Sequence, residues 1–454
     1  MEQTKQKMSL TTKVVLGMVL GILLGLAINY SGLNTPDSFV NIYVVEGILS
    51  IIGTMFITAL KMLVVPLVIF SLISGVLGIG DIKALGKVGA KSFALYMLTT
   101  AIAITLAISI AGSIGIGEGS DFKSMDNNTF DAKEAPPLSS VLIDIIPSNI
   151  VDSMANGNML QIIFFSILLG ISILMVGKKA EPIVRGVEIM NDVMMNMVNI
   201  IMAISPYAVF ALIAKSISSL GIELLSSLGE YVIVLIAVLL IHLFVTLMGL
   251  LKIFTGLSPK IFLAKMRSVQ IFAFSTSSSN ATIPVTLKTV TDKLGVNNSV
   301  GSFTVPFGAT INMDGTAIMQ GVATVFIANA YGVELGITGY LTVILMSVLA
   351  SIGTAGVPGV GLIMLSMVFV QVGLPLEGIG LILGVDRLLD MVRTAVNVSG
   401  DATVSLIVAK SEGKFDATIY NDPKAGILTS SDMHIDKDVE EEFAKLTKDV
   451  HDKK

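Results

Sequence analysis

The sequence predicts an all-α polytopic membrane protein with eight transmembrane helices and two re-entrant helical hairpins entering from opposite faces. Three observations carry that reading. Hydrophobic residues make up 53% of the 454 positions and charged residues only 14%, with a mean hydropathy of +0.84, so lipid rather than water is the solvent for most of the chain. Six apolar runs lie near residues 13–30, 45–79, 92–116, 159–177, 188–216 and 231–251, each long enough for a spanning helix, which needs roughly 20 residues. Beyond Ser258 the apolar runs continue but are interrupted at their centres by polar residues.

The first run follows Lys5, Lys7 and Lys13 with no small-residue cleavage site, which makes it an uncleaved span behind a short segment, 1–12. The run 45–79 is too long for an upright helix and contains Lys61 and Pro66, so a tilt or kink is expected. Basic residues then alternate from one connection to the next. Lys83, Lys87 and Lys91 follow the second run, Lys178, Lys179 and Arg185 the fourth, and Lys252, Lys260, Lys265 and Arg267 the sixth. The connections 31–43 and 217–230 have no basic residue, and 118–140 has Lys123 and Lys133 among more acidic ones. By the positive-inside rule both termini are cytoplasmic once two further crossings follow.

Those crossings lie in 258–410. An apolar stretch breaks at Ser275-Thr276-Ser277-Ser278-Ser279-Asn280, resumes after Pro284 and reaches Lys288 and Lys293; its arms are too short to cross, so it reads as a hairpin. A crossing at 300–329 is interrupted by Asn312-Met313-Asp314-Gly315. The stretch 337–376 breaks between Ser351 and Gly359, a second hairpin, and the last crossing, 378–410, ends at Lys410 and Lys414. Hairpin, crossing, hairpin, crossing is an inverted repeat. Non-helical backbone at membrane depth survives only where protein buries it or it lines a cavity, and opposed broken segments point to a binding site near the bilayer midplane. Residues 411–454 read as a polar, charged cytoplasmic tail.

Composition excludes other chemistry. The net charge is -5, its acidic excess lies in an outer loop and the tail, and no basic nucleic-acid surface follows. Cysteine is absent, and the three histidines have no ligand spacing; His242, in an apolar helix, reads as a packed or snorkelling residue. Gly115-Ile116-Gly117-Glu118-Gly119 is a glycine-rich helix end without the spacing of a nucleotide fingerprint.

The last crossing carries Asp386, Asp390, Arg393, Asn397 and Asp401 within a stripe about 80 degrees wide, with Arg387 and Thr394 along one edge. Each charge at the bilayer centre costs about 2.5–3.5 kcal/mol, so the stripe faces a polar interior. Asp386 and Arg387 suit a structural ion-pair network as well as a site. Arg393 has a planar fork for a carboxylate, and Asp390, one turn away, suits an ammonium group. Free N–H groups where helices end at Ser277, Ser278 and Ser279 suit an anion. Asp314, Asp401, Asn312, Asn397 and the carbonyls freed at the breaks are hard oxygen donors that suit sodium. An intramembrane aspartyl protease needs two aspartates converging on one water, whereas Asp386 and Asp390 share a helix. A channel would be slowed by a central Arg–Asp pair.

At these residues the chain resembles the glutamate transporter family, the dicarboxylate/amino acid:cation symporters that include the excitatory amino acid transporters. The resemblance runs from the first span to about Gly413. It is most specific in Ser277-Ser278-Ser279, Asn312-Met313-Asp314-Gly315-Thr316, Ser351 to Gly359 and Asp390 to Asp401. It implies a homotrimer in the cell membrane, bacterial inner membrane in type, surrounded by lipid, which symports sodium with L-aspartate or L-glutamate and is not an enzyme. Residues 13–251 would form a largely fixed scaffold, with the third helix contributing to a moving transport core, 258–410, in an elevator mechanism.

The same resemblance implies that Arg393 binds the side-chain carboxylate of the solute and Asp390 its amino group. Thr316, Asn397 and the Ser277–Ser279 tip would take the main carboxylate, with Thr394, Val357 and Gly361 closing the pocket. One sodium would use Asp401 with backbone oxygens of Gly308, Asn312 and Asn397. A second would use Tyr96, Thr99, Thr100, Asn312 and Asp314, and a third the backbone of Thr310, Ser351, Ile352 and Thr354 near Met313. Many relatives carry an arginine either in the serine-rich tip or immediately after the binding aspartate; here those places are Ser277 and Met391, with Arg387 one turn earlier. Gln320 replaces the glutamate of proton-moving vertebrate members, so proton cotransport and potassium antiport are not expected. Thr100 stands for a serine and keeps the hydroxyl. The competing reading is a proton-driven C4-dicarboxylate carrier, which would not need Asp390.

Overall fold

The computed structural model describes residues 10–77, 82–120, 145–221, 223–352, 354 and 356–426, with Met8 and Ile143 as isolated positions. The expectations for Lys5, Lys7, Lys123, Lys133, Gly353, Ala355 and residues 427–454 lie outside them. Among the described residues the regular structure is helical, apart from one isolated antiparallel bridge between Val296 and Phe415.

The first half comprises α1 (Leu10–Tyr30), a π-helical stretch (Val40–Leu49) that runs into α2 (Ser50–Leu77), α3 (Ile82–Ile114), the short α4 (Ile150–Asn156), α5 (Met159–Val176), α6 (Glu181–Ala203), α7 (Ser205–Leu220) and α8 (Glu223–Ile241). A second π-helical stretch, His242–Leu247, joins α8 to α9 (Met248–Thr255). Among the described residues, five helical runs are long and apolar enough to cross a membrane: Thr12–Tyr30, Val40–Leu77, Lys87–Ile114, Gln161–Ala203 and Ser226–Thr255. The chain is therefore a membrane protein with several helices able to span a bilayer.

Two runs differ from the sequence expectation. The run 188–216 is not one helix: it divides at Ile204, where Ser205-Pro206 opens α7. Proline lacks an N–H and has φ suited to a first helical turn, so it starts a helix more readily than it continues one. In the long second run Pro66 sits inside a continuous α2, and the departure from α geometry falls instead at Val40–Leu49.

Glycine spacing sets the tightest contact of this half. A Cβ built on Gly17, Gly21 or Gly25 would lie 2.9 Å or less from the carbonyl oxygens of Pro206, Phe210 and Ala214 respectively. Three glycines four residues apart thus meet three carbonyls four residues apart, the close backbone approach that small residues permit in lipid, where burial of apolar area alone does not hold helices together. The glycine-rich end of α3 has a similar cause. Gly115, Gly117 and Gly119 have φ of +73°, +81° and +81°, and a Cβ on Gly117 would strike the Phe326 carbonyl.

The second half follows the sequence breaks closely. α10 (Pro259–Thr276) and α11 (Ser279–Asp292) pack together across the serine break. α12 (Asn298–Ile311) and α13 (Asp314–Ala330) are separated at Asn312-Met313, and α14 (Gly336–Ser351) and α15 (Val360–Val372) by the second break. The 35-residue α16 (Glu377–Ser411) and the short α17 (Ala417–Asn421) complete the described chain. α16 is the hub, touching α3, α7, α8 and each of α9 to α13.

Burial divides the molecule. Along α13, α15 and most of α16 almost every side chain is buried, polar ones included. Ile51 and Met55 of α2, Leu168 and Met175 of α5 and Ile189 and Ile200 of α6 are exposed. Apolar surface on that scale requires lipid or other protein against it. At the far end of α16, Asp416 N–H donates to the Gly295 carbonyl at 2.8 Å and Asn297 N–H to the Lys414 carbonyl at 3.0 Å. Lys265 Nζ donates to the carbonyls of Lys293, Ile419 and Tyr420 at 2.7–2.8 Å. These bonds tie the base of the α10–α11 pair to the end of α16.

Candidate functional site

The charged stripe on α16 is buried in protein, as its cost in lipid requires. Arg393 is 1% exposed. Its Nη2 donates to Asp390 Oδ1 at 2.8 Å, and its Nη1 lies 2.8 Å from Asp386 Oδ1 but outside hydrogen-bond geometry. Arg387 approaches from the preceding turn, Nη1 3.9 Å from Asp390 Oδ2. One guanidinium is therefore held between two carboxylates, yet Arg393 Nε and Asp390 Oδ2 have no hydrogen-bond partner among the described residues. Buried polar atoms are almost always satisfied, so this donor and acceptor call for polar partners from outside these side chains, water or solute.

Two of the expected pocket residues, Gly361 and Thr316, lie beside this guanidinium. A Cβ on Gly361 would lie 3.4 Å from Arg393 Nη2 and 3.4 Å from Thr316 Cγ2, so the starts of α15 and α13 and the middle of α16 meet there. Thr394 is buried, its hydroxyl donating to the Asp390 carbonyl at 2.8 Å. Asn397 Oδ1 accepts from Gly315 N–H at 2.7 Å, and its Nδ2 lies 3.5 Å from Met313 Sδ. Val357 is partly buried beside the second break.

The serine break is built by helix capping. α10 ends with Ser277 at φ +50°, the one non-glycine residue with positive φ among those described, and its N–H donates to the Ala273 carbonyl at 2.9 Å. Ser278 turns to extended backbone and caps α11, its Oγ accepting from Ala281 N–H at 3.2 Å. The same hydroxyl donates to the Gly356 carbonyl at 2.7 Å, and Asn280 N–H donates to that carbonyl at 3.1 Å. Ser279 is buried, its Cβ 2.9 Å from where a Cβ on Gly356 would stand. The two breaks therefore meet tip to tip.

A second cluster, of oxygen donors, lies where α12 gives way to α13. Asp314 Oδ1 accepts from Thr100 Oγ1 at 2.8 Å, and Asn312 Oδ1 from Thr99 Oγ1 at 3.3 Å. Asn312 Nδ2 donates to Asp401 Oδ1 at 2.9 Å and to the Asn397 carbonyl at 3.2 Å. A Cβ on Gly308 would stand 2.5 Å from Asp401 Oδ1 and 2.7 Å from the Tyr96 hydroxyl, which donates to the Thr304 carbonyl at 2.9 Å. The residues of the first two expected cation sites thus form one contiguous buried group. The residues of the third are bonded locally: Thr310 to Phe307, Ser351 to Val348, Ile352 N–H to Leu349, and Thr354 to Ala350. The second break reaches this region through Gly356, packed against the Ala309 carbonyl.

One contact of this oxygen cluster was not legible in the sequence. His242, expected as a packing or snorkelling residue, is fully buried with Nε2 3.1 Å from Asp314 Oδ2. An ionisable group deep in an apolar helix is itself a signal, but its partner is 72 residues away, and helical periodicity reveals no such pairing. Asp386, which suited either role, is paired with the guanidinium.

Membrane-spanning helices wrapped around interrupted ones, with a buried guanidinium, carboxylates and oxygen donors at the interruptions, define the class of integral membrane solute carriers. Residues 10–411 match the model of the sodium:dicarboxylate symporter family, and the chain belongs to that family. It is 34% identical over 418 residues to the proton/sodium-glutamate symport protein of Bacillus caldotenax, covering 90% of this chain and 96% of the relative. It is 37% identical over 420 residues to the proton/glutamate-aspartate symporter of Escherichia coli (strain K12), covering 90% and 94%. To the C4-dicarboxylate transport protein of Bacillus subtilis (strain 168) it is 31% identical over 415 residues, again 90% and 94%.

Proposed function

We propose that this chain is a sodium-coupled symporter of L-aspartate or L-glutamate. The observation that carries the reading is the group of buried polar atoms on α16 with no hydrogen-bond partner among the described residues, Arg393 Nε and Asp390 Oδ2 among them, the latter within 3.9 Å of Arg387 Nη1. An acidic amino acid has a carboxylate for the first and an ammonium group for the second. The main carboxylate then falls to Thr316, Asn397 and the Ser277–Ser279 tip, with Val357, Gly361 and Thr394 around the solute. Relatives named for glutamate and for glutamate and aspartate agree with this choice.

The oxygen cluster of Tyr96, Thr99, Thr100, Gly308, Asn312, Asp314, Asn397 and Asp401 suits sodium as the coupled ion. A third ion would rest on the carbonyls of Thr310, Ser351, Ile352 and Thr354 near Met313. Gln320 is buried and its amide does not titrate, which favours sodium over protons, although the names of relatives include both cations. The division of burial supports an elevator in which 258–410, with the third helix, moves against a scaffold formed by the rest of 13–251. The exposed apolar faces of α2, α5 and α6 would then be covered by lipid and by two further copies in a homotrimer. Both termini would be cytoplasmic.

Binding or counterflow of labelled L-aspartate in proteoliposomes, with and without sodium, tests the reading: sodium-dependent binding supports it. A C4-dicarboxylate relative keeps a second reading open. If succinate competes as well as aspartate does, the solute is a dicarboxylate without an amino group and Asp390 has another role.

A further inference from the structure

Asp314 is 0% exposed, and each of its carboxylate oxygens has a different partner: Thr100 Oγ1 on Oδ1 at 2.8 Å and His242 Nε2 on Oδ2 at 3.1 Å. As an ion ligand Asp314 is a carboxylate and acceptor-only, and in that state the proton of the contact is on Nε2. The other ring nitrogen, Nδ1, is buried with no hydrogen-bond partner among the described residues. His242 therefore spends its polar capacity on Asp314 and is not itself held by a further group.

The backbone supplies an independent sign that the contact is built. The helix that contains His242 is α-helical up to Ile241 and from Met248, and the intervening π-helical stretch begins at His242 itself. Short π-helical segments inside α-helices are uncommon and concentrate at functional sites, because they change the direction in which the following turn presents its side chains. Behind the same carboxylate, Gly400 leaves no room: a Cβ there would stand 3.3 Å from Asp314 Oδ2 and 2.5 Å from Asn312 Nδ2.

We infer that His242 is a positioning residue for the cation site at Asp314: its Nε2–H holds Oδ2, which keeps Oδ1 turned toward Thr100 as an ion ligand. In this contact the imidazole acts through the carboxylate: its Nε2 carries the proton that holds Oδ2 and so has no lone pair for the ion. The inference rests on the reading that the Asp314 cluster binds sodium. Pre-orienting the carboxylate lowers the reorganisation that ion binding would otherwise require, so the residue acts on sodium affinity and not on the solute pocket.

The test uses the full chain in proteoliposomes, with the sodium dependence of labelled L-aspartate binding measured at one pH. His242→Leu removes the donor and keeps apolar bulk, while His242→Gln keeps an amide N–H of similar reach. His242→Leu is expected to raise the half-saturating sodium concentration about tenfold, the size of one charge-assisted hydrogen bond. At saturating sodium its aspartate affinity stays within about twofold of the unaltered protein, and His242→Gln restores the sodium dependence. In an Asp314→Asn background His242→Leu adds nothing, as residues acting through one contact do. Where His242→Leu does not fold, His242→Asn, too short to reach Oδ2, takes its place. Equal sodium dependence in the leucine, glutamine and unaltered proteins overturns the inference while leaving sodium coupling intact. Absence of sodium dependence in the unaltered protein overturns the coupling reading and this inference with it.

Discussion

Ser278 Oγ donates to the carbonyl oxygen of Gly356 at 2.7 Å, joining two helix breaks that lie 78 residues apart. The same hydroxyl, Ser278 Oγ, accepts from Ala281 N–H, so it both starts α11 and holds the facing tip. Ser278→Ala removes both bonds, a loss of about 1–2 kcal/mol, or roughly tenfold. Aspartate affinity should fall by about that factor, and Ser278→Thr should restore most of it. Unchanged affinity in Ser278→Ala would mean that the tip contact does not contribute to holding the solute.

Arg393 carries the acidic-solute assignment. Arg393→Thr strands the solute carboxylate and costs about 2–5 kcal/mol, at least tens-fold in aspartate affinity. It also leaves Asp386 and Asp390 buried without their cation, so the fold should be checked by thermal melting alongside binding. Neutral solutes such as serine escape the first penalty. The comparison belongs at saturating sodium, and Arg393→Lys, which keeps charge but loses the planar fork, should recover only part of the affinity.

Asp401 accepts from Asn312 and adjoins Gly308 and Tyr96. Asp401→Asn removes the charge with little change of shape and should weaken sodium dependence more than any single hydroxyl substitution at Thr99 or Thr100. Titrating sodium at fixed aspartate measures this directly, and a variant with unchanged half-saturation would remove Asp401 from the ion sites.

The α1–α7 contact predicts a structural asymmetry between glycines. Gly21→Val forces a side chain into the Phe210 carbonyl, which a Cβ would approach at 2.7 Å, and overpacking of this kind costs about 1–3 kcal/mol. Gly112 has nothing within 4 Å of a built Cβ, so Gly112→Ala should gain helix stability of up to about 1 kcal/mol. Thermal midpoints in detergent should move in opposite directions, and a common shift would contradict the packing account.

The broken helices were legible because each break places polar residues inside an apolar run, and the observed helices end at Thr276, Ile311 and Ser351, within or beside the expected breaks. The stripe on α16 was legible because 3.6-residue periodicity aligns Asp386, Asp390, Arg393, Asn397 and Asp401. Long-range pairing was not. Nothing local joins His242 to Asp314, Lys265 to the carbonyls near Tyr420, or Ser278 to Gly356. The division of the run 188–216 at Ile204 was marked only by Pro206, which hydropathy counts as one more tolerated residue. The π-helical stretches depend on tertiary packing and have no composition of their own.

The central claim is that the open atoms of Arg393 and Asp390 receive an acidic amino acid whose entry depends on sodium. Uptake of labelled L-aspartate into proteoliposomes tests it most directly, comparing an inward sodium gradient with an inward proton gradient in sodium-free potassium medium. The account predicts concentrative uptake with sodium, competed by L-glutamate more strongly than by succinate, and none with protons alone. Equal uptake under the proton gradient, or succinate competing as well as aspartate itself, would contradict it.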